Sequence, residues 1–233
     1  MKSLLGTKVG MTQVFTETGK AVAATVIYVE PNKVLAVKTN EKDGYSAIQI
    51  GYETVKEKAL NKPLLGQFKK ANSDPKRHIK EFRDVFAEVG AELTVSEFEP
   101  GQLVNAQAYT KGHGFTGSIK RHNFSMGPMG HGAGYPHRYV GSIAKGRGGS
   151  QAQRVFKGTK LPGHYGHELV TTKNLLVLDV KANENLILIK GAIPGPKGSI
   201  VLLKSAKKVG HIVSDPQVVN YLANKASSSE ANE

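Results

Sequence analysis

The chain contains no cysteine. That absence excludes a disulfide scaffold, a thiolate metal site and a cysteine nucleophile, and it fits a reducing compartment. No apolar run approaches the ~18 residues of a membrane-spanning helix. Residues 1–8 lack the apolar core of a secretory signal. The expected location is cytoplasmic, with no membrane partner. The most informative absence is of negative charge: no Asp or Glu lies between Glu99 and Glu168. In that stretch nothing can orient a base beside Ser118, Ser125, Ser142 or Ser150, and no carboxylate pair exists for acid–base work. No catalytic residue is expected.

What fills the acid-free stretch is glycine, histidine and positive charge. Residues 111–167 hold 14 of the 26 glycines and six of the eight histidines. They also carry nine cations: Lys111, Lys120, Arg121, Arg138, Lys145, Arg147, Arg154, Lys157 and Lys160. The flanks are close to neutral. Residues 1–99 have 15 Lys/Arg against 13 Asp/Glu, and residues 168–233 have eight against six. A segment so rich in glycine pays a high backbone entropy on ordering and has few side chains to pack. Its charge is all of one sign, so a polyanion is the natural partner to neutralise and shape it.

Three motifs bear on this partner. Gly112-His113-Gly114-Phe115-Thr116-Gly117 fits the dinucleotide pattern G-x-G-x-x-G. That pattern requires an acidic residue about 20 positions on and a βαβ setting, and this chain offers neither. The same glycines would instead let backbone approach phosphates, with Lys111, Lys120 and Arg121 supplying charge. The clustered histidines, including His113, His122, His164 and His167, have no thiolate or carboxylate near them to complete a metal site. No metal or other cofactor is expected. Phe124, Tyr135, Tyr139 and Phe156 lie among the later cations. They suit stacking on unpaired bases, or anchoring of the segment to its own protein.

Outside this segment the pattern is mainly β. Short strands are expected over residues 11–15, 21–29, 33–39 and 47–52, and their spacing suggests a barrel or sandwich. A helix is expected around residues 64–71, with Pro63 in its first turn. Residues 79–89 fit either helix or strand. Further strands are expected over residues 93–98, 103–109, 175–180, 186–190 and 199–203, with a disordered tail over 226–233. One sheet system interrupted by a long insertion accounts for this order. Drawn out as a two-way finger, some 45 residues could reach about 70 Å.

Several blocks resemble the large-subunit ribosomal protein three family, in its bacterial form. Phe98, Asn105, Ala108, Thr110, Gly112, His113, Gly114, Gly117 and Arg121 match its signature spacing. The opening Gly6-Thr7-Lys8-Val9-Gly10-Met11-Thr12-Gln13-Val14-Phe15 looks like that family's start, and His137-Arg138, Gly141-Ser142-Ile143 and Val155-Phe156-Lys157-Gly158 also agree. The resemblance implies a barrel of the kind shared among translation proteins, carrying a basic central extension and minor helices. The body would span residues 1–113, with a small helical excursion about 54–90, and 166–206. The extension would span 114–165, with its tip near 139–154, and a tail would follow over 207–233.

The resemblance further implies a structural constituent of the large ribosomal subunit. Such a protein binds the large ribosomal RNA near its 3′ end, helps nucleate assembly and reaches towards the peptidyl-transferase centre. Neighbouring large-subunit proteins would be partners, and no small-molecule substrate is implied. The expected RNA contacts are Lys8, Lys111, His113, Lys120, Arg121, His122, Arg138, Lys145, Arg147, Arg154, Lys157 and Lys160. Some bacterial members carry a methylated glutamine near the tip. The candidates here are Gln151 and Gln153, neither in the expected frame. The rival reading is an RNA-modifying enzyme or assembly factor with a basic loop. It would need a cofactor pocket or carboxylate cluster on the body.

Overall fold

Alternation along the strands builds two cores at once. A computed structural model describes residues 2–16, 19–134, 137–143 and 154–206. In chain order its strands are β1 (Ser3–Phe15), β2 (Ala21–Tyr28), β3 (Asn32–Lys38), β4 (Ala47–Thr54), β5 (Lys76–Arg83) and β6 (Glu92–Leu93). They continue with β7 (Leu103–Tyr109), β8 (Gly114–Thr116), β9 (Gly163–Tyr165), β10 (Leu169–Lys181), β11 (Leu186–Lys190) and β12 (Ile200–Ser205). The helices are short: α1 (Asn40–Asp43), α2 (Lys62–Lys70) and α3 (Ser118–His122). None of those described is long and apolar enough to cross a membrane.

The chain divides into two units, Met1–Tyr109 with Leu169–Glu233, and Thr110–Glu168. The first is organised by a closed antiparallel barrel in the order β1-β12-β7-β10-β11-β2. Side chains at every second position point inward. Leu4, Ile27, Val104, Ala106, Ala108, Val177, Ile187, Ile189, Val201 and Leu203 fill the interior. The alternate residues Leu5, Ile200 and Leu202 face outward and pack with Val34, Ile48, Ile50, Tyr52 and Phe82 of a second, four-stranded sheet, β5-β4-β3-β6. The mainly β expectation and the barrel are therefore present. The expected strands at 33–39 and 47–52 are also present, as β3 and β4, but they lie in the second sheet and not in the barrel wall.

Asn32 fastens that sheet to the barrel. It is fully buried. Its amide nitrogen donates to the carbonyls of Leu5 and Glu30, and its side-chain oxygen accepts from the Leu5 amide at 3.1 Å. One side chain thus satisfies both backbone groups of Leu5, which would otherwise be buried unpaired at about 1–3 kcal/mol each.

The helix expected near residue 64 is α2, with proline in its first turn. Its buried Phe68 packs with Leu35, Ala71, Leu60 and Ile79, a burial that contributes roughly 1.5–3 kcal/mol. Two expectations need adjusting. The ambiguous segment from residue 79 is strand as far as Arg83, because it pairs with β4 from Lys76 to Arg83. The strand expected over residues 93–98 is only the two-residue β6 followed by a 3-10 turn, Val95–Glu97, which places Val95 and Phe98 in the barrel core.

Candidate nucleic-acid interface

The second unit begins where the barrel strands β7 and β10 end their pairing, at Tyr109 opposite Leu169. Its base is a ladder of backbone contacts. The Thr110 amide donates to the Glu168 carbonyl at 2.9 Å, and the Glu168 amide donates to the Thr110 hydroxyl. The His113 amide donates to the Tyr165 carbonyl at 2.9 Å, and the two rings stack with centroids 5.1 Å apart. β8 and β9 then pair, Gly114 with Tyr165 through Thr116 with Gly163.

Glycine is indispensable at one point of this base. Gly166 has φ of 76°, and a Cβ there would lie 2.1 Å from the Lys111 carbonyl oxygen. No L side chain fits such an approach without moving backbone.

Beyond the ladder, α3 turns the chain and ends at Asn123 in the left-handed conformation. The Arg121 guanidinium donates to the Leu161 carbonyl at 2.9 Å, and the His122 ring lies 3.2 Å from the same oxygen. Both are half-buried. Contacts among the described residues continue into the next stretch. The Gly127 amide donates to the His137 carbonyl, and the His137 ring contacts the Pro128 carbonyl. The Arg154 guanidinium lies 5.8 Å from the Phe156 ring centroid. Thr159 closes a turn on the Phe156 carbonyl.

Of the expected contact residues, Lys111, His113, Lys120, Arg138, Arg154, Lys157 and Lys160 are exposed in this unit. Arg121 and His122 are instead committed partly to Leu161. Lys145, Arg147, Gln151, Gln153 and Tyr135 lie outside the described residues, as do most of the expected tip and the whole tail. Lys8 is placed differently from the rest. It sits in the barrel unit, only 8% exposed, with its ammonium donating to the carbonyls of Ile193 and Gly195 at 2.6 and 3.0 Å. Its charge serves the protein's own loop and does not form part of a surface patch.

Sequence reasoning missed two features. Phe115, read only as part of a glycine motif, is 80% exposed in β8. The near-neutral balance of residues 1–99 also hides a polarity. Residues 56–83 carry nine Lys/Arg against three Asp/Glu, whereas residues 84–99 carry five acids and no cation. A shorter counting window would have found the two charge blocks; the exposure of Phe115 has no such signal in the sequence. Among the described residues no group of three or more His, Asp or Glu side chains is placed to hold a metal.

The family model described as Ribosomal protein L3 matches residues 77–186, a span that includes the whole second unit and the barrel strands β7 and β10 on either side of it. The chain is 99% identical, over 232 residues and the full length of both, to "Large ribosomal subunit protein uL3" of Ureaplasma urealyticum serovar 10. It is 50% identical, again over the full length of both, to the protein of that name from Mycoplasmoides gallisepticum. It is 52% identical over 89% of this chain and 98% of its relative from Pelotomaculum thermopropionicum. These likenesses define a ribosomal protein, a non-enzymatic structural class. The chain belongs to the ribosomal protein L3 family, also written uL3.

Proposed function

We propose that this chain is a structural constituent of the large ribosomal subunit, in the cytoplasm, and that the unit from Thr110 to Glu168 is its principal contact with the large ribosomal RNA. The observation that carries the reading is the acid-free cationic stretch between Glu99 and Glu168, whose Lys111, Lys120, Arg138, Arg154, Lys157 and Lys160 are exposed. Family membership supplies the ribosomal setting. The two relatives matched over their full length are named as large-subunit proteins.

On this reading the barrel anchors the chain, and residues 114–165 act as a basic extension that follows packed RNA. Arg side chains pair bidentately with phosphate, and lysines neutralise it as point charges. The exposed Phe115 and the His113–Tyr165 stack offer flat faces to unpaired bases. Binding near the 3′ end of that RNA, early in assembly, and an approach to the peptidyl-transferase centre follow from the family resemblance.

The test is crosslinking and sequencing of RNA bound to the protein purified from cells, beside a companion lacking residues 120–160. Crosslinks in the large ribosomal RNA, with a defined set lost from the companion, are expected. Crosslinks scattered over messages or transfer RNAs, unaltered by the deletion, would overturn the reading.

A further inference from the structure

A second surface of this chain has the opposite chemistry. The segment after β5 crosses to β6 as residues 84–91, and it is pinned along its length. Val85 is buried in the core between sheet and barrel, and Ala87 and Ala91 pack against the same core. The Gly90 amide donates to the Val34 carbonyl, and the Val34 amide donates to the Ala91 carbonyl, both at 2.9 Å. Val85 and Ala87 are turned into that core, whereas Phe86 and Glu88 between and beyond them are exposed. Phe86 is 84% exposed and Val89 is 55% exposed. A large aromatic side chain held outward by backbone pinned on both sides presents a fixed apolar knob.

The knob stands in a purely anionic stretch. Asp84, Glu88, Glu92, Glu97 and Glu99 are the only charged residues from 84 to 99. Glu88 and Glu92 are exposed, and none of the ion pairs among the described residues involves either of them, although Lys33 stands opposite Glu92 where β3 and β6 pair. RNA phosphate is repelled by such a patch, whereas a cationic polypeptide is attracted to it. Aromatic anchors ringed by charge are the usual form of a protein contact, in which the ring fills a pocket and the rim charges set orientation.

We infer that Phe86 and Val89, framed by Glu88 and Glu92, form a docking site for a Lys/Arg-rich segment of another protein in the same particle. This rests on the large-subunit reading above. It adds a protein-facing surface, opposite in charge to the RNA-facing unit.

The experiment places a photoreactive diazirine amino acid at position 86, and separately at position 115, in the full chain, and purifies large subunits that contain it. Irradiation at position 86 should yield crosslinks to a peptide of net positive charge from one subunit protein. In the double variant Glu88→Lys/Glu92→Lys the yield should fall about tenfold. Position 115 should crosslink to RNA. RNA crosslinks at position 86, or no protein crosslink there while position 115 labels RNA, would overturn this inference and leave the subunit reading standing. An unchanged yield in the charge-reversed variant would also overturn it. A chain that never enters large subunits would overturn the subunit reading, and this one with it.

Discussion

Arg121 reaches across the second unit to the carbonyl of Leu161, forty residues away in sequence, and donates to it at 2.9 Å. The same guanidinium lies over Gly163, where a Cβ would meet its Nη1 at 2.6 Å. One cation therefore ties the outgoing α3 to the returning β9. A hydrogen bond from a charged donor is worth about 1.5–3 kcal/mol. Arg121→Ala should accordingly speed exchange of the His113 amide, which is bonded to Tyr165 in the adjoining ladder, by roughly tenfold or more. Unchanged exchange would mean that the tether does not hold the ladder.

Gly166 and Gly112 lie near each other but differ in what they tolerate. At Gly166 the left-handed backbone disfavours any side chain by about 1–2 kcal/mol, and the Lys111 carbonyl stands 2.1 Å from the position of a Cβ. At Gly112 a Cβ would only touch the His167 Cβ at 3.6 Å, an ordinary contact. Gly166→Ala should expose residues 110–168 to rapid limited proteolysis, whereas Gly112→Ala should leave the cleavage rate near that of the parent. Equal behaviour of the two variants would contradict the account of this base.

His78, on β5, gives a pH signature for the second sheet. Burial holds its pKa below the ordinary 6.5, opposed by the Glu53 carboxylate 3.3 Å from its Nε2, with Arg77 and Lys80 also lowering it. The folded protein resists protonating this ring more than the unfolded chain does. Its contribution to stability is therefore complete above pH 6.5 and declines as the pH falls from 6.5 towards the folded value. Glu53→Gln should lower the pKa further. The imidazole proton resonances of His78 report both effects, and a titration at or above 6.5 in the parent would contradict them.

The sequence revealed elements better than partners. Apolar and alternating patterning found strands in β7, β10, β11 and β12, and Pro63 marked the start of α2. Strand patterning cannot say which strands meet. β1 pairs with β12 some two hundred residues later, and β3 and β4 carry the same kind of pattern yet leave the barrel for their own sheet. Lys8 reads as one more cation because its acceptors, the carbonyls of Ile193 and Gly195, are distant in sequence. The cationic unit was legible because charge of a single sign needs no partner to be seen. Its internal order, the β8–β9 ladder and the Arg121 tether, was not legible, since it depends on backbone carbonyls that every residue carries.

The central claim is that the exposed cations of the second unit bind RNA phosphate. The direct measurement is the salt dependence of affinity for large ribosomal RNA, for the parent and for a variant with Lys111, Lys120, Arg138, Arg154, Lys157 and Lys160 all changed to Gln. Each phosphate contact contributes roughly 0.7–0.9 to the slope of log affinity against log salt. The sixfold variant should lose about 4–5 from that slope, while Lys8→Met should keep the parent's slope. Parallel lines for the parent and the sixfold variant would contradict the account.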